Sequence, residues 1–166
     1  HIGNLGSQEG ILRAKLEVAD FFDTDAPLFL NGDDPMLSPL SKTYGGNIVF
    51  YGIENPDCVV RAERIEKTAE SVAFDAVYEG GRQRILLRTP GIHNVYNALA
   101  AFAAAVRFGV SPENAAQGIA SFEPPPQRQN CTVAGGVTVI DDAYNAAPDS
   151  MRAALQVLTD RDAARH

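Results

Sequence analysis

An α/β fold is predicted by three features of the sequence. Apolar residues recur at helical spacing near both ends and after Asn94; the middle third is built of short β-branched runs; and a strand-loop-helix pattern follows three consecutive prolines. The prolines divide the chain, so two domains are expected: residues 1–123, and residues 124–166 as the beginning of another.

The elements follow in order. Gly6 and Ser7 give a helix-capping signal, and Gln8 to Phe22 has helical spacing. At about 100° per residue, Ile11, Lys15, Val18 and Phe22 fall within about 60° of one another, opposite Glu9, Arg13, Glu17 and Asp20. Pro27 to Asn31 reads as a short buried strand, stopped by the turn signal Asn31-Gly32-Asp33-Asp34-Pro35. Asn47 to Ile53, Cys58 to Ile65, Ser71 to Tyr78 and Gln83 to Arg88 read as strands, with a hairpin turn at Gly80 and Gly81. The pattern is helical from Asn94 through Arg107 and stops at Gly109; Ser111 and Pro112 then cap a second helix to about Ser121. Pro124, Pro125 and Pro126 fix φ and remove donors, which makes a stiff connector. Beyond it, Val137 to Ile140 reads as a strand ending in Asp141 and Asp142, then a loop, then a helix from about Asp149 to Leu158.

Composition removes several functions. The 166 residues are 45% hydrophobic, enough for a real core, and 21 acids against 14 bases give a net charge of -7. Such a chain repels nucleic-acid backbones and anionic lipid, so small molecules are the expected partners. Cys58 and Cys131 stand far apart in no metal-ligand spacing, and the longest apolar run, Ala98 to Val106, is far short of the roughly 20 residues of a membrane span. A cytoplasmic monomer is expected. The chain starts at His1 without an initiator methionine and stops at His166 in a polar run after a helical pattern, so it reads as an internal piece of a longer protein.

Three groups of residues can carry chemistry. Lys15 falls in the apolar stripe of the first helix; desolvated, its amine becomes accessible as a nucleophile or as a carbamate able to ligate Mg²⁺, and snorkelled to the edge it stays an ordinary ammonium. His93, Asn94 and Asn97 stand at a helix entry, where an amide pairs a donor with an acceptor as an adenine edge does, or simply caps the helix. Asp142, followed by Tyr144 and Asn145, lies just past a strand end, the usual ligand position of open α/β sheets and equally a turn and helix cap. Arg128, after the prolines, can clamp a phosphate.

In this order the segments resemble the Mur ligase family. The stretch HIGNLGSQEGILRAK, from His1 to Lys15, is similar to the family's metal-binding histidine followed by its carbamylated lysine; LNGDDP resembles an Asn-Ala-Asp-Asp turn; GIHNVYNALAA resembles the adenine-contacting helix start. Arg128 occupies the place of the family's nucleotide-reaching arginine, although Gln127 stands where a glycine usually precedes it. The stretch VIDDAYNAAPDSMRAAL, with Tyr144 and Asn145, is similar to the branch that joins D-alanyl-D-alanine to UDP-MurNAc-tripeptide, and Ala147 departs from the Asn or Ser common there.

The resemblance implies a mixed sheet flanked by helices with a small β-rich subdomain, as in the family's central ATP-binding domain, followed by the first unit of a Rossmann-like C-terminal domain. It implies ATP and Mg²⁺ as cofactors: His1 and carbamylated Lys15 for the metal, His93, Asn94 and Asn97 for adenine, Asp142 for ribose, Arg128 for phosphate, and Tyr144 and Asn145 near the domain junction. No G-x-x-x-x-G-K-[ST] occurs in the 166 residues, so they are expected to bind ATP weakly by themselves. A sister amide ligase, adding a diamino acid or extending folylpolyglutamate, and a non-catalytic binding protein are the competing expectations.

Overall fold

The computed structural model describes residues 6–23 and 25–161. Its first helix, α1 (Gln8–Leu16), is capped as the sequence predicts, with Ser7 Oγ accepting from the Gly10 N–H at 3.1 Å. The helix is shorter than expected. Residues Glu17–Phe21 tighten into a 3₁₀ turn in which Ala19 is the buried residue, because β-branched Val18 and the acid Asp20 favour helix weakly and no apolar stripe continues past Leu16. Val18 and Phe22 therefore do not extend the stripe; Lys15 is itself exposed but lies on the same side of α1 as Ile11 and Leu12, facing the turn after β1.

Five strands form one sheet in sequential order: β1 (Leu28–Asn31), β2 (Ile48–Gly52), β3 (Val60–Lys67), β4 (Val72–Tyr78) and β5 (Gly81–Leu87). β1, β2 and β3 run parallel, with Phe29 opposite Val49 and Leu30 opposite Phe50, whereas β3, β4 and β5 are antiparallel. The β-rich middle of the chain thus continues the same mixed sheet. Tyr78 pairs with Gly81, so the hairpin turn is Glu79-Gly80, one residue earlier than expected.

The period of two along β4 decides what lies on each face. Val72, Phe74 and Ala76 are fully buried against the helical layer, while Asp75 between them faces the other way and is 1% exposed. α2 (Ile92–Arg107) crosses the sheet with Val95, Leu99 and Phe102 fully buried, and Phe102 meets the edge of Tyr78 at 5.5 Å between ring centroids. Each such side chain contributes up to about 1.5–3 kcal/mol of transfer free energy. Gly109, at φ +86°, ends α2; α3 (Pro112–Ala120), capped by Ser111 Oγ on the Asn114 N–H, packs on β5.

After the prolines the sequence expected a single strand. The structure has an antiparallel hairpin, β6 (Asn130–Ala134) with β7 (Val137–Asp141), turned by Gly135 and Gly136, both at positive φ. α4 (Pro148–Thr159) follows within a residue of its expected bounds. No helix among the described residues is long and apolar enough to cross a membrane.

Candidate functional site

The start of α2, the proline connector, the end of β7 and the first turns of α4 enclose a cleft of about 490 Å³. Its walls are Thr89, His93, Asn94 and Asn97 on one side, Phe122, Pro124, Pro125, Arg128 and Gln129 along the connector, and Asp142, Asp149, Ser150 and Ala153 opposite. Five residues singled out in the sequence, His93, Asn94, Asn97, Arg128 and Asp142, are brought together here. Asp149, Ser150 and Ala153 lie in the stretch VIDDAYNAAPDSMRAAL without having been assigned a role, and Thr89 and Gln129 were not singled out at all.

An amide ladder lines the α2 side. Asn94 Nδ2 donates to the Pro90 carbonyl at 2.8 Å and to Gln129 Oε1 at 3.3 Å, and Asn97 Nδ2 donates to Asn94 Oδ1 at 3.3 Å. His93 is half-buried beside it. Burial pushes the His93 imidazolium pKa down, against the opposing pull of its hydrogen bond to Gln129 and of the Asp142 charge, so at neutral pH the ring is neutral. Thr89 Oγ1 is buried on the same wall without a partner among the described residues.

The connector holds its arginine by strain and stacking. Gln127 and Gln129, flanking Arg128, adopt φ of +64° and +54°, conformations that favour glycine. The kinked backbone lets the Gln127 carbonyl accept from the Tyr144 N–H at 3.2 Å and sets the Arg128 guanidinium 3.9 Å over the centre of the Tyr144 ring. Tyr144 is thus behind the arginine and does not line the cleft. Asn145 does not line it either; its Oδ1 accepts from the Ala146 N–H at 2.9 Å.

The Asn31–Pro35 turn is a second constructed feature. Asp33 accepts from the backbone N–H groups of Ile53 (2.6 Å), Glu54 (3.1 Å) and Asn55 (2.7 Å) and from the Tyr96 hydroxyl (2.8 Å). Burial alone raises its carboxyl pKa, but these four donors outweigh burial and the net shift is downward. Gly52 is required beside it, since a Cβ there would stand 2.8 Å from Asp33 Oδ1.

Lys15 belongs to a different cleft, of about 470 Å³, between α1 and the turn after β1, with Asp34, Met36 and Leu37. The Asp34 carboxylate is engaged by the N–H groups of Met36 and Leu37. His1, the expected metal partner of Lys15, lies outside the described residues. Among the described residues no three His, Cys, Asp or Glu side chains converge on a metal position.

The family model of the Mur ligase middle domain matches residues 1–105, well over half of the chain. The chain belongs to the Mur ligase family. Over 95% of its length it is 36% identical to the UDP-N-acetylmuramoyl-tripeptide--D-alanyl-D-alanine ligase of Bacillus subtilis (strain 168), and spans 33% of that protein. A crystal structure of MurF from Acinetobacter baumannii superposes with a TM-score of 0.89 at 31% identity, covering 98% of this chain and 35% of the other. MurF ligase from Thermotoga maritima, solved in complex with ADP, shares the fold at a TM-score of 0.80 and 21% identity, covering 95% of this chain and 36% of that one. This Mur ligase chain spans about a third of the length of the relatives it matches.

Proposed function

We propose that this chain forms the nucleotide-binding wall of an ATP-dependent amide ligase that adds D-alanyl-D-alanine to UDP-MurNAc-tripeptide in the cytoplasm during peptidoglycan precursor synthesis. The reading is carried by one observation: Asn94, Asn97, Arg128 and Asp142, drawn from three separate segments, line a single cleft. Its volume of about 490 Å³ is of the size that takes a small ligand. The similarity to D-alanyl-D-alanine-adding ligases over nearly the whole chain supports the choice of substrates.

The residues divide the nucleotide among them. The Asn94–Asn97 amides meet the adenine edge with a donor and an acceptor. Asp142, at the carboxyl end of β7, accepts from ribose hydroxyls, and neutral His93 adds a hydrogen-bonding wall without a charge of its own. Arg128 is a fixed cation whose direction is set by the Tyr144 ring.

In the reaction, a carboxylate oxygen of the tripeptide attacks the γ-phosphorus of ATP, the bond to the β,γ-bridging oxygen breaks, and an acyl phosphate and ADP result. The amine of D-alanyl-D-alanine then adds to the acyl carbon, phosphate leaves with the bonding pair, and the amine loses its proton. Arg128 offsets the charge that spreads over the phosphoryl oxygens in the first step. Mg²⁺ supplies charge neutralisation when bound. His1 and a carbamylated Lys15 are the residues proposed to hold it; the described residues alone do not compose such a site. The remaining phosphate contacts fall to parts of the longer protein.

The test is phosphate release by the full-length parent protein with ATP and UDP-MurNAc-tripeptide, with and without D-alanyl-D-alanine. Release that depends on the dipeptide is expected. Release with an L-amino acid, and none with any D-dipeptide, would assign the chain to a sister ligase.

A further inference from the structure

Gln129, which neither composition nor motif singled out, is tightly constrained in the cleft. It is 7% exposed, adopts the left-handed backbone conformation at φ +54°, and lines both the nucleotide cleft and the cavity on the other side of the connector. A non-glycine residue held there costs about 1 kcal/mol or more, and it persists only where its surroundings over-determine it. Its partner is visible. Gln129 Oε1 accepts from Asn94 Nδ2, whose second N–H goes to the Pro90 carbonyl.

Both donors of Asn94 are therefore spent, and the Asn94 amide cannot turn over without losing two hydrogen bonds. Its Oδ1 then faces Asn97 and takes one N–H of that amide. Among the described residues Asn97 keeps one unpaired N–H and its carbonyl oxygen, a donor and an acceptor on one amide, at the exposed end of the ladder. The free pair has a definite polarity.

We propose that Gln129 is a positioning residue for base recognition: by accepting from Asn94 it joins the Pro90 carbonyl in fixing the amide polarity of Asn94 and, through it, of Asn97, so that Asn97 discriminates a 6-amino from a 6-oxo purine. This rests on the nucleotide reading above. Adenine offers a 6-amino donor beside the N1 acceptor, whereas hypoxanthine offers a 6-oxo acceptor beside an N1–H donor. An amide locked in one orientation satisfies the first and meets the second with like facing like. An amide free to turn over satisfies both.

Titrating the full-length parent protein with ATP and with inosine triphosphate, by calorimetry, tests this. The wild type is expected to prefer ATP, and Gln129→Leu, which removes the acceptor, to lose that preference by about tenfold, the equivalent of one hydrogen bond. Gln129→Glu keeps an acceptor and is expected to restore it. Gln129→Gly, which suits the left-handed backbone, reports the same loss should the leucine variant fail to fold. A purely structural role lowers the amount of competent protein and leaves the ATP-to-inosine ratio unchanged, and that unchanged ratio overturns the proposal. Failure of the wild type to bind either nucleotide overturns the nucleotide reading itself, a distinguishable result.

Discussion

The Tyr96 hydroxyl, on α2, donates to Asp33 Oδ2 at 2.8 Å, joining the helix that starts at the cleft to the turn after β1. Asp33 is the hub: three backbone N–H groups of the β2–β3 loop also end on it. Tyr96→Phe removes one of four donors and is expected to cost about 1 kcal/mol. Asp33→Ala strands three N–H groups and is expected to cost about 1–3 kcal/mol. Denaturant unfolding of the full-length protein checks both, and the double variant is expected to be less destabilised than the sum, because both changes break the same bond.

Asp75 gives the pH dependence with the largest lever. Burial raises its carboxyl pKa, but hydrogen bonds from Arg82, Arg64 and Arg84 outweigh burial and hold it down at about 2. A depressed carboxyl pKa stabilises the fold above the ordinary value, about 4, and the contribution disappears as pH falls toward 2. Melting temperature measured across that window is expected to fall with pH, and Asp75→Asn is expected to flatten the slope while lowering stability at neutral pH by about 1–3 kcal/mol.

Gln127, at φ +64°, stands where a glycine usually precedes the family's arginine, and the backbone conformation shows why glycine suits the position. Gln127→Gly is expected to raise stability by about 0.5–1 kcal/mol. Thermal unfolding checks the sign; a destabilised variant would mean that the glutamine side chain makes up for the strain.

The stack of Arg128 on Tyr144 makes a further difference measurable. Tyr144→Phe keeps the ring and is expected to leave ATP affinity within about twofold, whereas Tyr144→Ala frees the guanidinium and is expected to weaken it about two- to fivefold, matching an exposed cation–π contact. Equal effects of the two variants would place the tyrosine hydroxyl, and not the ring, in the site.

How much of this was legible in the sequence depended on range. Ser7, Ser111 and Gly109 act within one helical turn, and their capping roles were readable from spacing alone. The start of α2 was readable because its Asn94 and Asn97 lie three apart on one helix. That Val18 and Phe22 leave the stripe of Ile11 and Lys15 was not readable, because periodicity cannot reveal that α1 tightens into a 3₁₀ turn after Leu16. β6 was missed although Gly135-Gly136 is a hairpin signal, since its side chains are mostly exposed and show no alternation to read. Gln129 joins the cleft through its contact with Asn94, 35 residues away in the chain, and no local pattern encodes such a contact.

The most direct test of the central claim is a crystal structure of the full-length parent protein with the non-hydrolysable analogue AMP-PNP. The account predicts the base against Asn97, the ribose on Asp142 and the triphosphate running past Arg128. A nucleotide bound elsewhere, with the cleft between α2 and the connector empty, would contradict it.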